Sequence, residues 1–361
     1  MSQMASQTQI QAPTILVTGA TGTQGGHVIR ELLAAARSTH PPSPITIHAL
    51  VRNASASTSQ SLLHLGPGDE DDGSKVTLFA GDFDDVASLQ RAAQSCTAVF
   101  INVSQSFADP DAERRHAQNI LTASLAAGVR QVIYSSVYGA SSPLFRNVSA
   151  NDHSWMGNYK RSKSAIQELV KKPPVPTPPE YTYSILEPTT FLTNFLVPVS
   201  KFMYPDLPVI RTAHRPDLNL AYLDPADIGR LVAAILVPAA SSALPSSSVA
   251  LPNPKFTNQT IPIASTHMTM SQVADAMTRA LSVSDDHDQT DITVTVSYIS
   301  AADAEAQKDS NPVLASQLMQ NGRSSWNLVD LDQVKSYGVR LGGVDEFFAR
   351  EKKRLQATVR L

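Results

Sequence analysis

A single cysteine, Cys96, stands in a chain of 361 residues. That scarcity excludes an internal disulfide and any metal site built from several thiolates. At the end of an expected helix, Cys96 reads as a small buried residue. Charge is sparse as well: Asp, Glu, Lys and Arg make up 17% of the chain and the net charge is −3. No basic field is available to hold nucleic acid, and no basic amphipathic helix points to a membrane surface. No apolar run approaches the roughly twenty residues of a membrane-spanning helix. Residues 1–12 are polar and lack the basic opening and apolar core of a secretory signal, so they are expected to be disordered and the protein cytoplasmic. No Ser-His-Asp order with a nucleophile elbow occurs, and no His/Asp/Glu set has metal-ligand spacing. His116 and His153 accordingly read as surface or packing residues. What remains is an ordinary globular composition, 42% hydrophobic, sufficient for one large or two modest domains.

The stretch Ile15 to Arg30 organises the rest. Ile15–Val17 is a short apolar strand that breaks at Thr18 into a loop with Gly19, Gly22 and Gly25 at three-residue spacing. His27–Arg37 follows as a helix with Val28, Leu32 and Ala36 on one face. Strand, glycine loop and helix together make a phosphate cradle: glycines let the backbone approach a pyrophosphate, and the helix N-terminus offers free N–H groups. Ile45–Val51 is a second strand that ends at Arg52. Many NAD sites carry an acid there for the ribose hydroxyl; this chain offers a guanidinium, which suits a 2′-phosphate and favours NADP(H).

Further strands are expected at Lys75–Ala80, Ala98–Val103, Gln131–Tyr134 and Tyr181–Leu186, alternating with helices. The helix of Asp111–Ala127 closes at Gly128. Residues 66–73 form an acidic loop. Asp82 and Phe83 follow the third strand, where Asp82 accepts from an adenine amino group beside Phe83, or Asp82 or Asp84 caps the next helix. Asn158 opens a helix to about Lys172, and a proline run at 173–179 separates it from the next strand. Asp224-Pro225-Ala-Asp227 starts a helix to about Leu236 that packs back on the first domain. Thr269-x-x-Gln272 is a capping box, Ile292–Ile299 a strand, and Pro312–Met319 and Val344–Leu355 helices, with loops at 238–268 and 284–290. The fold class is α/β: a doubly wound parallel Rossmann sheet (13–186) with a smaller C-terminal α/β substrate-binding portion (187–361).

The candidate catalytic group is Ser136, Tyr159 and Lys163. Tyr159 and Lys163 are i and i+4 on one helix, so they share a face. A phenol is a poor proton donor and acceptor at neutral pH, and an ammonium one turn away favours its phenolate. A serine at the end of the fifth strand can donate to a reacting carbonyl oxygen. Ser135 is the alternative, because the faces of a strand end are not distinguished by sequence. Trp155 and Phe145 line a pocket or pack in the core.

These residues resemble the short-chain dehydrogenase/reductase superfamily and, within it, the atypical NmrA-like group. Thr18-Gly-Ala-Thr-Gly-x-x-Gly25, Val51-Arg52-Asn53 and Gly81-Asp82-Phe83 are similar to its cofactor half, and Ala127-Gly128-Val129 with Val132–Ser136 to its fifth strand. Ser184-Ile-Leu-Glu-Pro188-x-x-Phe191-x-x-Asn194-Phe195 and Asp224-x-x-Asp227-Ile-Gly-Arg230 are similar to its later motifs. The resemblance implies NAD(P) binding by Gly19, Gly22, Gly25 and Arg52, with Lys163 at the family's lysine position; Thr21, Gln24, Asp82, Phe83 and Val103 join them as candidate contacts to NADP(H), and no metal is expected. Many NmrA-like members lack the tyrosine, whereas the intact Tyr159-x-x-x-Lys163 resembles the epimerase-type branch. The family's usual Arg before Pro is Glu187 here, which bears on substrate-side electrostatics. Three functions fit: an NADPH-dependent reductase of a carbonyl, quinone or imine on an apolar aromatic small molecule; an NADP-sensing regulator without turnover; and an isomerase or cyclase on the same fold. The protein is expected to act as a monomer or homodimer.

Overall fold

The computed structural model describes residues 13–39, 42–65, 73–237, 253–282, 292–322 and 328–360. The expected disorder at 1–12, most of the acidic loop at 66–73 and the loop at 284–290 lie outside them. The first half runs β1 (Thr14–Val17), α1 (Thr23–Ser38), β2 (Thr46–Val51), α2 (Ser57–Gln60), β3 (Lys75–Ala80), α3 (Val86–Ala93), β4 (Ala98–Ile101), α4 (Ala112–Ala126), β5 (Gln131–Ser135), α5 (Pro143–Arg146), α6 (Trp155–Lys171) and β6 (Thr182–Pro188). The second half runs β7 (Thr190–Phe191), α7 (Ser200–Met203), β8 (Val209–Thr212), β9 (Leu220–Leu223), α8 (Ala226–Leu236), β10 (Gln259–Ile263), β11 (Thr266–Met268) and α9 (Met270–Ser282). It ends with β12 (Thr295–Tyr298), α10 (Ala301–Gln307), α11 (Pro312–Asn321), α12 (Leu331–Ser336), α13 (Val344–Arg350) and α14 (Lys352–Val359).

Seven parallel strands form the central sheet in the order β10-β6-β5-β4-β1-β2-β3. This is the doubly wound Rossmann arrangement, and the order reverses between β1 and β4, where a crevice opens beyond the strand ends. The alternation of β1 builds both layers. Ile15 and Val17 join the core beneath α1 and α8, whereas Leu16 joins the opposite core with Val99, Ile120, Val132 and Ile166. A third core, around Phe195, Tyr222, Met277 and Phe347, holds the second half together.

Several boundaries differ from the sequence reading, each for a local reason. Helix α1 begins at Thr23, not His27, because Gly25 and Gly26 sit inside its first turns, buried against the strand-to-helix loop. Helix α6 begins at Trp155 because Ser154 Oγ accepts from Gly157 N at 3.0 Å. Neither Asp82 nor Asp84 caps α3: Asp85 does, accepting from Ser88 N at 3.2 Å. The stretch 238–268 is not all loop. Residues 259–263 form β10, the seventh strand of the main sheet, and 266–268 pair with β9. The chain therefore returns to the first half twice after β6, through α8 and through β10. Helix α8 lies along α1 so closely that a Cβ on Gly229 would stand 2.6 Å from the His27 carbonyl oxygen. The Thr269 capping box forms as read, with Thr269 N donating to Gln272 Oε1 and Gln272 N to Thr269 Oγ1.

Candidate functional site

The glycine loop is tied to the sheet at its first residue. Thr18 Oγ1 donates to the Phe100 carbonyl at 2.9 Å and accepts from Asn102 N at 2.9 Å, which sets the loop beside the end of β4. Gly19 then turns with φ +61°, a left-handed conformation that suits glycine, and its carbonyl accepts from Gly22 N at 2.9 Å. A Cβ on Gly25 would lie 2.3 Å from that same carbonyl oxygen, so only glycine permits the helix to start so near the loop. Gly22 caps α1 with no side-chain bond to the first-turn amides, and the first turn carries no acid. An uncapped N-terminus of a sixteen-residue helix is a seat for an anion. Thr21 is exposed on the loop, and Arg52, just past β2, is exposed and makes no ion pair with any described residue.

Beyond the strand ends lies a cavity of about 610 Å³ between the two halves. Of the expected site residues, Gln24, Val103, Ser136, Tyr159 and Lys163 line it together; Trp155 and Phe145 line it too. Gly19, Thr21, Gly22, Gly25 and Arg52 stand outside this cavity. So do Asp82, whose Oδ1 accepts from Asp84 N at 2.9 Å, and Phe83, whose ring packs 5.5 Å from His116. The two serines at the end of β5 divide. Ser135 Oγ donates to Gln24 Oε1 at 2.6 Å and faces the glycine helix, while Ser136 faces the cavity.

Helix α6 presents a stacked column. Trp155 lies over Tyr159 with ring centres 5.3 Å apart and an 8° tilt, and Phe107 stacks on Trp155 at 5.7 Å. One turn further on, Lys163 Nζ sits 5.8 Å from the centre of the Tyr159 ring. Lys163 is buried and pairs with Glu113 of α4 at 2.7 Å; Ser162 Oγ donates to the other carboxylate oxygen at 2.7 Å. Burial alone pushes the lysine pKa down, but the charges of Glu113 and Tyr159 and the bond to Glu113 outweigh it, so the net shift is upward. Lys163 is therefore a fixed cation beside the phenol ring.

Glu187 does not line the cavity. It is 5% exposed and accepts from Gly139 N, Ser141 N and Gln167 Nε2. Glu113, Gln167 and this use of Glu187 carry no local signal in the sequence, since each partner is 20 to 50 residues away. Cys96 is buried, its thiol pushed up to about 12 by desolvation, consistent with an inert packing residue. Among the described residues no cluster of three or more His, Cys, Asp or Glu could hold a metal, and no helix is long and apolar enough to cross a membrane.

A family model described as the NmrA-like family matches residues 11–300. The chain belongs to that family. This NmrA-like protein spans 35% and 52% of the length of two curated relatives. The second, an NmrA-like family domain-containing oxidoreductase of Penicillium ochrochloron, is 28% identical over 203 residues, 54% of this chain. Among solved structures, the NADPH-dependent quinone oxidoreductase of Escherichia coli complexed with NADPH is similar with a TM-score of 0.60. It is 20% identical, and the match covers 93% of this chain and 99% of that one. NmrA, a negative transcriptional regulator solved with NAD, is similar with a TM-score of 0.62 at 19% identity, covering 96% and 98%. At these identities the two structures establish the Rossmann fold of the NmrA-like chain.

Proposed function

We propose that this NmrA-like protein is an NADPH-dependent oxidoreductase that reduces a carbonyl, quinone or imine on an apolar aromatic small molecule. The observation that carries the reading is the convergence of Tyr159, the Lys163–Glu113 ion pair and Ser136 at one cavity beyond the strand ends. The cradle fits a dinucleotide: Gly25 lets α1 start against the Gly19 carbonyl, the first turn of α1 has no side-chain cap, and Arg52 is exposed with no ion pair to a described residue, where it can meet a 2′-phosphate. When bound, the reduced nicotinamide supplies a hydride. The chain's own residues do the rest. Tyr159 Oη donates the proton that the reduced oxygen or nitrogen takes up, and the fixed charge of Lys163 stabilises the phenolate left behind. Ser136 donates a hydrogen bond to the oxygen as it gains charge. Phe145, Trp155 and Phe191 give the cavity an apolar, aromatic wall. A regulator that only senses nucleotide has no use for a phenol with a buried cation beside it, which favours turnover over the regulatory reading.

The test is NADPH oxidation with a panel of quinones, imines and aryl ketones. Wild type consumes NADPH with at least one of them, and Tyr159→Phe lowers turnover about a hundredfold or more while NADPH binding stays within about twofold. Full activity in Tyr159→Phe removes the tyrosine from the mechanism; NADPH binding without oxidation across the whole panel favours the regulator.

A further inference from the structure

Ser136 reaches the cavity with its oxygen already engaged. Gln167 Nε2 donates to Ser136 Oγ at 2.9 Å, and the same nitrogen donates to Glu187 Oε1 at 2.8 Å. Gln167 Oε1 accepts from the Ser141 hydroxyl at 2.7 Å. Chemistry decides which way the Gln167 amide lies, because a carboxylate only accepts and so must face the NH₂ end. Glu187 is itself pinned by Gly139 N at 3.2 Å and Ser141 N at 3.3 Å. Ser136, Gln167 and Glu187 are all buried, at 6%, 1% and 5% exposure, so water does not compete for these bonds.

Both Gln167 hydrogens are thereby committed, one to Glu187 and one to Ser136. Ser136 acts as acceptor toward Gln167, and its own hydrogen is left to turn toward the cavity or toward the buried Tyr134 phenol beside it. A phenol oxygen is a weak acceptor. A carbonyl oxygen under reduction gains negative charge, so the serine's donation strengthens on the way to the transition state. We propose that Gln167, oriented by Glu187, is a positioning residue that fixes Ser136 as a hydrogen-bond donor to the reacting oxygen. This rests on the reductase reading above, and it gives Glu187 a purpose outside the cavity lining.

A double-mutant cycle on Ser136→Ala and Gln167→Met tests it, with NADPH and 1,4-naphthoquinone as the probe. Each single variant is expected to lower kcat about tenfold with the NADPH dissociation constant within about twofold, the size of one hydrogen bond. The double variant is expected to be no slower than Ser136→Ala alone. A merely structural contribution of Gln167 would instead make the losses multiply. Glu187→Gln, which keeps shape and removes only the charge that orients the amide, gives a second cycle with the same non-additivity at smaller amplitude. Multiplying losses in a wild type that turns over overturn the positioning and leave the reductase reading standing. If wild type oxidises NADPH with no member of the quinone, imine and aryl ketone panel, the reductase reading falls, and the same cycle is read on binding. 1,4-Naphthoquinone is then titrated into NADP⁺-loaded protein and followed by quenching of Trp155 in a Trp326→Phe background. Coupled losses of affinity support the positioning, and independent ones overturn it.

Discussion

Lys163 and Arg52 show two opposite ways of placing a cation. Lys163 is enclosed and held by Glu113 at 2.7 Å, so its charge is part of the fold and its direction is set before any ligand arrives. Arg52 is exposed, past the end of β2, and makes no ion pair with a described residue, so its charge is available to a ligand. A guanidinium recognises a phosphate by paired, charge-assisted hydrogen bonds, which a bare ribose hydroxyl cannot return. Arg52→Glu is therefore expected to weaken NADPH about tenfold or more while leaving NADH within about twofold. Titration of both nucleotides against the variant checks it, and equal losses for the two would remove Arg52 from the 2′-phosphate site.

Helix α1 carries two demands for glycine, one from each neighbour. At its start Gly25 lets it close on the Gly19 carbonyl, and along its flank Gly229 of α8 lets the two helices touch backbone to side. Filling the second space overpacks the contact: Gly229→Ala is expected to lower stability by roughly 1–3 kcal/mol in denaturant unfolding, with the NADPH affinity of the folded protein unchanged. A neutral substitution would show that the helices separate freely. The same elements show what the sequence could convey. Strands β1 to β6 were legible because short apolar runs alternate with helical periodicity, and the Thr269 box because its partners are three residues apart. The start of α1 reads late in the sequence because glycine is a poor helix former, and its presence there answers to the Gly19 carbonyl of the loop just before it. Strand β10 reads as loop because Gln259-Thr-Ile-Pro-Ile263 is short and contains a proline, a pattern that only an edge position tolerates. In the site, Tyr159 and Lys163 were legible as a helical pair. Glu113 was not, since its link to Lys163 spans two helices, nor was the hold on Glu187, because nothing local shows the turn at 139–141 folding over it.

At the scale of the molecule, each half encloses a histidine that burial keeps neutral. His27 in α1 and His214 after β8 are both pushed down to about 4 by desolvation, against an ordinary value of 6.5. Above pH 6.5 both are neutral in folded and unfolded chains and contribute nothing. Between pH 6.5 and about 4 the unfolded chain takes up protons that the folded one refuses, so stability falls as pH falls, by up to about 3 kcal/mol for each histidine. Asp227, raised to about 6 by burial, acts in the opposite sense over the same window, so the check is a comparison: a His27→Gln, His214→Gln double variant is expected to lose less stability than wild type as pH falls in denaturant unfolding, and an unchanged slope would remove the two histidines from the acid sensitivity. The route of the chain has a consequence for anyone wishing to recombine such proteins. Because α8 covers α1 and β10 closes the edge beyond β6, a cut at residue 186 would yield a nucleotide module with one bare helix face and one open strand edge, prone to self-association. Exchanging specificity between relatives by grafting therefore calls for an interleaved design: residues 224–237 and 259–263 must travel with the first half, and only the segments between and after them are free to be traded.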